Sequence, residues 1–117
     1  MRDFRNYKVW EKAHQLTLAV YAATSSFPEE LYGLGDQMRR SCISVPANIA
    51  EGCGRDTDAD LARSLQVSAR SAKELEYQLL IARDLGLLES SKHAMLDVEI
   101  NEVRRMLATL TNRLESG

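Results

Sequence analysis

The fold is decided by a stretch near the C-terminus, residues 96–114, which reads LDVEINEVRRMLATLTNRL. Its apolar residues recur at alternating spacings of four and three, as Leu96, Ile100, Val103, Leu107, Leu110 and Leu114. These spacings place all six side chains on one face of an α-helix, whereas a strand would divide them between its two faces. The stretch therefore predicts an amphipathic helix.

Three earlier segments carry the same pattern. Their apolar faces consist of Val9, Ala13, Leu16, Val20, Ala23 and Phe27 in the first, Leu34, Met38, Cys42, Val45, Ile49 and Cys53 in the second, and Leu61, Leu65, Ser68, Ala72, Leu75, Leu79 and Ala82 in the third. No stretch alternates between apolar and polar residues for long enough to indicate a strand. The chain is therefore predicted to be all-α.

Proline and glycine mark where the helices end. Pro28 disfavours a helical conformation in the residue before it, and Gly52, Gly54 and Gly86 stand where helices commonly stop. We predict helices at 8–26, 34–53, 58–86 and 91–114. Short connections make neighbouring helices antiparallel, so residues 1–117 are expected to form a single domain, an up-down-up-down four-helix bundle.

Pro46 falls in the middle of the second predicted helix. It lacks a backbone N–H, and its ring collides with the Cys42 carbonyl, which together cost about 3 kcal/mol. Either the helix bends or it divides into two shorter helices. Because Ile49 continues the apolar stripe, we predict a bend at Pro46 and expect Ser41 and Ser44 to hydrogen-bond the freed carbonyl.

The composition excludes several classes of protein. The 117 residues include 15 Lys and Arg against 17 Asp and Glu, which gives a net charge of −2. The near-zero balance argues against a chain that coats nucleic acid through bulk charge. An apolar content of 44 % with only two Pro is ordinary for a soluble domain and excludes disorder. Cys42 and Cys53 lie about 16 Å apart if they share one helix, which is too far for a disulfide. No signal peptide or membrane-spanning segment is recognisable, so a cytoplasmic protein without a membrane partner is expected.

Catalytic and metal sites find little support. The one Glu-x-x-His arrangement, Glu11 with His14, lies beside the apolar face and has no second copy, although di-metal bundles use two. His93 is the only other histidine, and no glycine-rich phosphate loop is present. We therefore predict no catalytic residues, no metal and no cofactor, with a metal enzyme using Glu11 and His14 as the weakest hypothesis.

The surfaces outside the core are more informative. The second helix carries a polar strip of small and hydrogen-bonding residues, whose members are Gln37, Arg40, Ser41, Ser44, Asn48 and Glu51. Such a strip suits close helix approach, a specific polar contact or simple solvation. Additional aromatic and apolar residues favour a protein–protein surface, because Trp, Tyr and Arg are enriched there. The candidates for a homo-oligomer interface are Trp10, Tyr21, Val67, Tyr77 and Ile81.

Basic residues suggest a second kind of surface. Arg39-Arg40 and Arg104-Arg105 form pairs, and residues 1–12 carry an excess of two positive charges. Arginine suits bidentate phosphate contacts, so the candidates for binding nucleic acid are Arg39, Arg40, Arg63 and Arg70. Because the whole chain is slightly acidic, symmetry would have to bring arginines of several subunits together.

Two blocks, Leu31–Ser41 and Ser44–Gly52, resemble the signature of the four-helix bundle proteins encoded in intervening sequences of bacterial 23S ribosomal RNA genes. The same family includes relatives of the accessory variability determinant of diversity-generating retroelements. Val9–Ala13 resembles the family's first helix, and Glu74–Glu76 with Ala82–Gly86 resembles its third. The chain departs from the pattern at Arg70, where many members have glycine.

The resemblance implies an antiparallel four-helix bundle that assembles as a ring-like homopentamer. It also implies association with RNA or with a complex of reverse transcriptase and nucleic acid, without an established enzymatic activity. A purely structural protein–protein interaction module is the alternative. Within the signature, Gln37, Ser44, Asn48 and Glu51 form the polar strip described above.

Overall fold

A computed structural model describes residues 2–116, apart from the side chain of Tyr32. Four α-helices account for most of this range, namely α1 (Lys8–Thr24), α2 (Tyr32–Cys53), α3 (Asp58–Asp84) and α4 (Ser90–Ser116). Short 3-10 helices at Phe4–Asn6 and Glu29–Leu31 precede α1 and α2, and residues 2–116 contain no strand. The all-α prediction is confirmed, and the predicted helix ends lie within two residues of those observed.

The four helices pack side by side, so that each helix has two neighbours. Each contacts its neighbours in the chain and α1 also contacts α4, whereas in the described range no Cα atoms of the diagonal pairs lie within 8 Å of each other. Thr17 of α1 bonds to Cys42 of α2, while Thr24, further along α1, bonds to Arg39, which comes earlier in α2. These two helices are therefore antiparallel. The contacts Ser41–Glu74 and Ser44–Ser71 show the same for α2 and α3, and Gln66–Glu115 with Glu76–Arg104 show it for α3 and α4. The result is an up-down-up-down bundle measuring 45 × 21 × 19 Å.

The core is built from the four apolar stripes. The largest fully buried side chains come from every helix: Leu16, Val20, Met38, Val45, Ile49, Leu61, Leu65, Leu75, Leu79, Leu96, Ile100 and Leu107. Leu34, Leu110 and Leu114 are only partly buried, because they lie near helix ends where the bundle opens to solvent. Burial of these stripes is the main source of stability, at about 1.5–3 kcal/mol for each large side chain.

Local signals end the helices where turns are needed. The Thr57 hydroxyl accepts a hydrogen bond from the Asp60 amide at 3.1 Å, which caps the start of α3. Gly86 adopts a φ of 76° after α3, and the Leu87 amide donates to the Ala82 carbonyl at 2.8 Å, as in a Schellman motif. α1 ends two residues before the predicted end, because the chain turns there and buries Phe27 in the core.

Helix α2 runs without interruption through Pro46, so the alternative of two shorter helices is wrong. The bend itself stays a prediction. The expected hydrogen bonds from Ser41 and Ser44 to the freed carbonyl are also wrong, because both hydroxyls bond to groups on α3. Instead, Thr17 of α1 places its hydroxyl 3.1 Å from the Cys42 carbonyl oxygen. The same hydroxyl lies 2.9 Å from the Ala13 carbonyl oxygen, so the tertiary packing places a donor within reach of both carbonyls, including the one that the proline leaves unpaired.

Candidate functional site

The polar strip of α2 meets α3 along its middle. Ser41 donates a hydrogen bond to the Glu74 carboxylate at 2.7 Å, and the hydroxyls of Ser44 and Ser71 lie 2.8 Å apart. The Asn48 side-chain amide donates to the Ser44 carbonyl at 2.8 Å. These contacts define a polar seam between α2 and α3, formed by Ser41, Ser44, Asn48, Ser71 and Glu74.

The two ends of the polar strip face solvent. Gln37 and Arg40 are exposed before the seam, while Glu51 is exposed after it and forms an ion pair with Arg55. Beyond the seam the helices approach closely at Gly52, where a Cβ atom would lie 2.7 Å from the Ser64 Cβ atom. Sequence reasoning treated Gly52 only as a helix end, since a close approach between helices leaves no local signal.

Arg39 is used for contacts within the chain. Its Nε donates to the Thr24 hydroxyl at 2.8 Å, and its Nη2 donates to the Tyr21 carbonyl at 3.2 Å. The guanidinium also lies 4.5 Å from the centre of the Tyr21 ring, within the range of a cation–π interaction. Arg39 therefore fastens α2 to α1, and phosphate would have to compete with these contacts.

The other three candidate arginines divide into two kinds. Arg63 forms an ion pair with Asp60, and its hydrogen bond lowers the pKa of that carboxyl below its ordinary value. Arg40 and Arg70 are exposed, and neither has a hydrogen-bond or ion-pair partner within residues 2–116. Arg40 precedes Ser41 and Arg70 precedes Ser71, so each of these exposed arginines is the sequence neighbour of a seam residue.

The candidate interface residues occupy several faces. Tyr77 is 63 % exposed on α3, whereas Val67 and Ile81 are partly buried on the same helix. The Tyr21 ring lies against the Arg39 guanidinium in the cation–π interaction described above. Trp10 is partly buried, with its ring centre 4.7 Å from that of Phe4 and 5.1 Å from that of His14. The structure does not gather these five residues into one patch.

A groove between α1 and α4 was not foreseen from the sequence. It has a volume of about 400 Å³, and Lys8, Arg105 and Arg113 lie along it. Its floor includes Val9, Met106 and Leu110. The excess of bases near the N-terminus and the Arg104-Arg105 pair were visible in the sequence, but their convergence depends on α1 and α4 lying side by side.

The remaining reactive groups are buried or dispersed. Cys42 and Cys53 are free and buried, and burial raises the pKa of the Cys42 thiol to about 11 and also raises that of Cys53. Among residues 2–116, no group of three His, Cys, Asp or Glu side chains is arranged to hold a metal ion. His14 stacks on Trp10. No helix in this part of the chain combines the length and apolar character needed to cross a membrane.

Comparisons with known proteins agree with the fold. The family model described as 23S rRNA-intervening sequence protein matches residues 5–109. A crystal structure of a protein with unknown function from the S23 ribosomal protein family of Bacteroides thetaiotaomicron superposes with a TM-score of 0.83. That structure is 20 % identical in sequence, and the match covers 89 % of this chain and 95 % of the other. Among curated proteins, none matches the chain.

Proposed function

Because the chain belongs to the family of 23S rRNA-intervening sequence proteins, we propose that it is a non-catalytic helical bundle that binds RNA or a nucleic-acid-processing partner. In this proposal it assembles with copies of itself into a ring-like pentamer. We also propose that the protein is cytoplasmic. Its two cysteines are free, so the fold does not depend on the oxidising conditions that form disulfides.

The observation that carries the RNA proposal is the pair of free arginines beside the polar seam. Arg40 and Arg70 are exposed and have no acidic partner within residues 2–116. A guanidinium without an internal partner can form bidentate hydrogen bonds to a phosphate without first breaking an ion pair. In a ring, the same pair recurs on every subunit, which repeats this local positive charge around the assembly although each chain keeps its net charge of −2.

Self-assembly is supported by large apolar side chains that the single bundle leaves exposed. Tyr77 and Val98 are each 63 % exposed, Leu85 is 56 % exposed and Leu18 is 53 % exposed. Exposed apolar area of this kind is the part of a surface that an interface core would cover. The same observation also favours the alternative, a purely structural interaction module without a nucleic-acid role.

Binding to RNA measured against salt separates the two functions. We expect the affinity for a fluorescently labelled hairpin RNA to fall linearly on a plot of log affinity against log salt. The double variant Arg40→Gln/Arg70→Gln should reduce the slope by about 2, or about 1 for each phosphate that is no longer neutralised. The control Arg83→Gln/Lys92→Gln changes the charge equally at the α3–α4 end and should keep the slope.

Failure of the unmodified protein to bind structured RNA at low salt, or a flat salt response, would remove the RNA role and leave the structural module. Assembly is tested separately by sedimentation. A single unassociated chain at micromolar concentration would contradict the proposed oligomer.

A further inference from the structure

The groove between α1 and α4 concentrates positive charge that the fold does not neutralise. Lys8 lies at its α1 edge, and Arg105 and Arg113 lie at its α4 edge. All three side chains are exposed, and none forms an ion pair with a residue in the described range. Lys8 also lines an adjoining cavity with Glu11, Glu99 and Glu102, of which Glu102 is paired with Lys12 at 3.0 Å.

Helix geometry sets the length of this charged groove. Arg105, Thr109 and Arg113 are spaced by four residues, so they follow one edge of α4. At 1.5 Å per residue, the two arginines are about 12 Å apart along the helix axis. Lys8 stands across the groove from them. An extended anion lying in the groove would therefore meet cations on both sides.

The start of α1 adds to the positive potential. Tyr7 precedes the helix and makes no side-chain hydrogen bond that caps it, so the first amides of the 17-residue helix lack a side-chain acceptor. The positive end of the helix dipole also lies here. The helix dipole therefore adds to the positive potential that the three cationic side chains create in the groove.

The lining distinguishes between two possible occupants. An amphipathic helix of a protein partner needs exposed apolar positions to receive its anchors. The large apolar residues exposed on this bundle do not include any from the groove, where Val9 is buried and Met106 and Leu110 are only partly exposed. The residues that line the groove include three cations and no carboxylate, with Thr109 as a neutral hydrogen-bonding group. These features favour a phosphate backbone.

We propose that the α1–α4 groove is an RNA-binding site in which Lys8, Arg105 and Arg113 contact phosphates of one strand. The partly exposed floor, Met106 and Leu110, lies beneath the sugars. This inference rests on the proposed RNA-binding function and adds a site that is separate from the α2–α3 seam.

The test uses the full chain and a fluorescein-labelled hairpin RNA with a single-stranded extension, measured by fluorescence anisotropy over a salt series. The triple variant Lys8→Gln/Arg105→Gln/Arg113→Gln should reduce the slope of log affinity against log salt by about 2–3. The matched control Lys73→Gln/Arg83→Gln/Lys92→Gln carries the same charge change away from the groove and should keep the slope. Arg105→Lys, which preserves charge, should also keep it.

The outcomes separate the site from the function. If the unmodified protein binds RNA and the groove triple keeps its slope, the groove site is overturned while RNA binding stands. If the unmodified protein does not bind RNA, the function itself fails. Equally tight binding of poly-glutamate of the same length overturns RNA in favour of an acidic protein. Should the triple variant not fold, as judged by circular dichroism, the single variant Arg105→Gln must lower the slope by about 1.

Discussion

At the scale of a single residue, Thr17 explains how α2 tolerates a proline in its interior. Pro46 has no N–H to donate to the Cys42 carbonyl. The Thr17 hydroxyl oxygen lies 2.9 Å from the Ala13 carbonyl oxygen and 3.1 Å from the Cys42 carbonyl oxygen. Within α1 the Ala13 carbonyl sits at the usual i−4 distance from the Thr17 amide. The Ala13 carbonyl thus already has a backbone donor, whereas the Cys42 carbonyl has none, so the hydroxyl matters more to Cys42.

We expect Thr17→Val to lower the free energy of unfolding by about 1–3 kcal/mol, since valine keeps the shape but leaves a buried carbonyl without a donor. Urea denaturation followed by circular dichroism measures this loss. The matched background is Pro46→Ala, which restores an amide to α2. There Thr17→Val should cost clearly less, and an equal loss in both backgrounds would refute the pairing of Thr17 with the proline.

At the scale of the helices, Gly52 sets how closely α2 approaches α3. A Cβ atom at this position would lie 2.7 Å from the Ser64 Cβ and 2.8 Å from the Leu61 Cδ1. The Ser64 Cβ is fixed to the backbone of α3, so it can move away only if the helices separate. The small residue is therefore required by packing between two elements, in addition to its position near a helix end.

Substitution of Gly52 by alanine should destabilise the protein by about 1–3 kcal/mol, as overpacking does in other cores. Gly33→Ala is the matched control, because a Cβ atom at Gly33 meets nothing within 4 Å. That change should be neutral or stabilising by up to about 1 kcal/mol, since alanine favours the helix. Thermal unfolding of the two variants distinguishes them, and similar losses at both positions would contradict the close approach at Gly52.

The same two scales show what the sequence could predict. Leu96, Ile100 and Val103 reveal their helix because a buried face imposes a repeating spacing on the chain. The partner of a polar side chain depends instead on how two helices are rotated against each other. Ser44 therefore could not be paired with Ser71 in advance, and the engagement of Arg39 by Tyr21 could not be foreseen.

At the scale of the whole molecule, distant residues meet only after the bundle has closed. Lys8 and Arg113 stand at opposite ends of the chain and share a groove because α1 packs beside α4. Sequence reasoning found the local excess of bases near residue 8 but had no basis for joining it to α4. The choice of Arg63 failed for a different reason, because its ion-pair partner Asp60 lies three residues away on the same helix, where the sequence already indicated such a pair.

Glu76 links the last two helices and makes the stability of the molecule depend on pH. Its carboxylate lies 2.9 Å from the Lys73 Nζ on α3 and 3.4 Å from the Arg104 Nη1 on α4. The hydrogen bond from Lys73, with smaller contributions from Asn101 and Arg104, lowers the pKa of Glu76 from its ordinary value of 4.5. The folded state thus binds this proton less readily than the unfolded state does.

The resulting stabilisation is complete above pH 4.5 and is lost as the pH falls through the lowered pKa of the folded state. Glu76→Gln should therefore be less stable than the unmodified protein at about pH 7, by no more than about 1 kcal/mol because the pair is partly solvated. The difference in melting temperature should shrink towards zero at about pH 3. Gly52→Ala carries no titrating change, so its deficit should persist in acid. A Glu76→Gln deficit that is the same at both pH values would show that the charge of Glu76 does not hold α3 to α4.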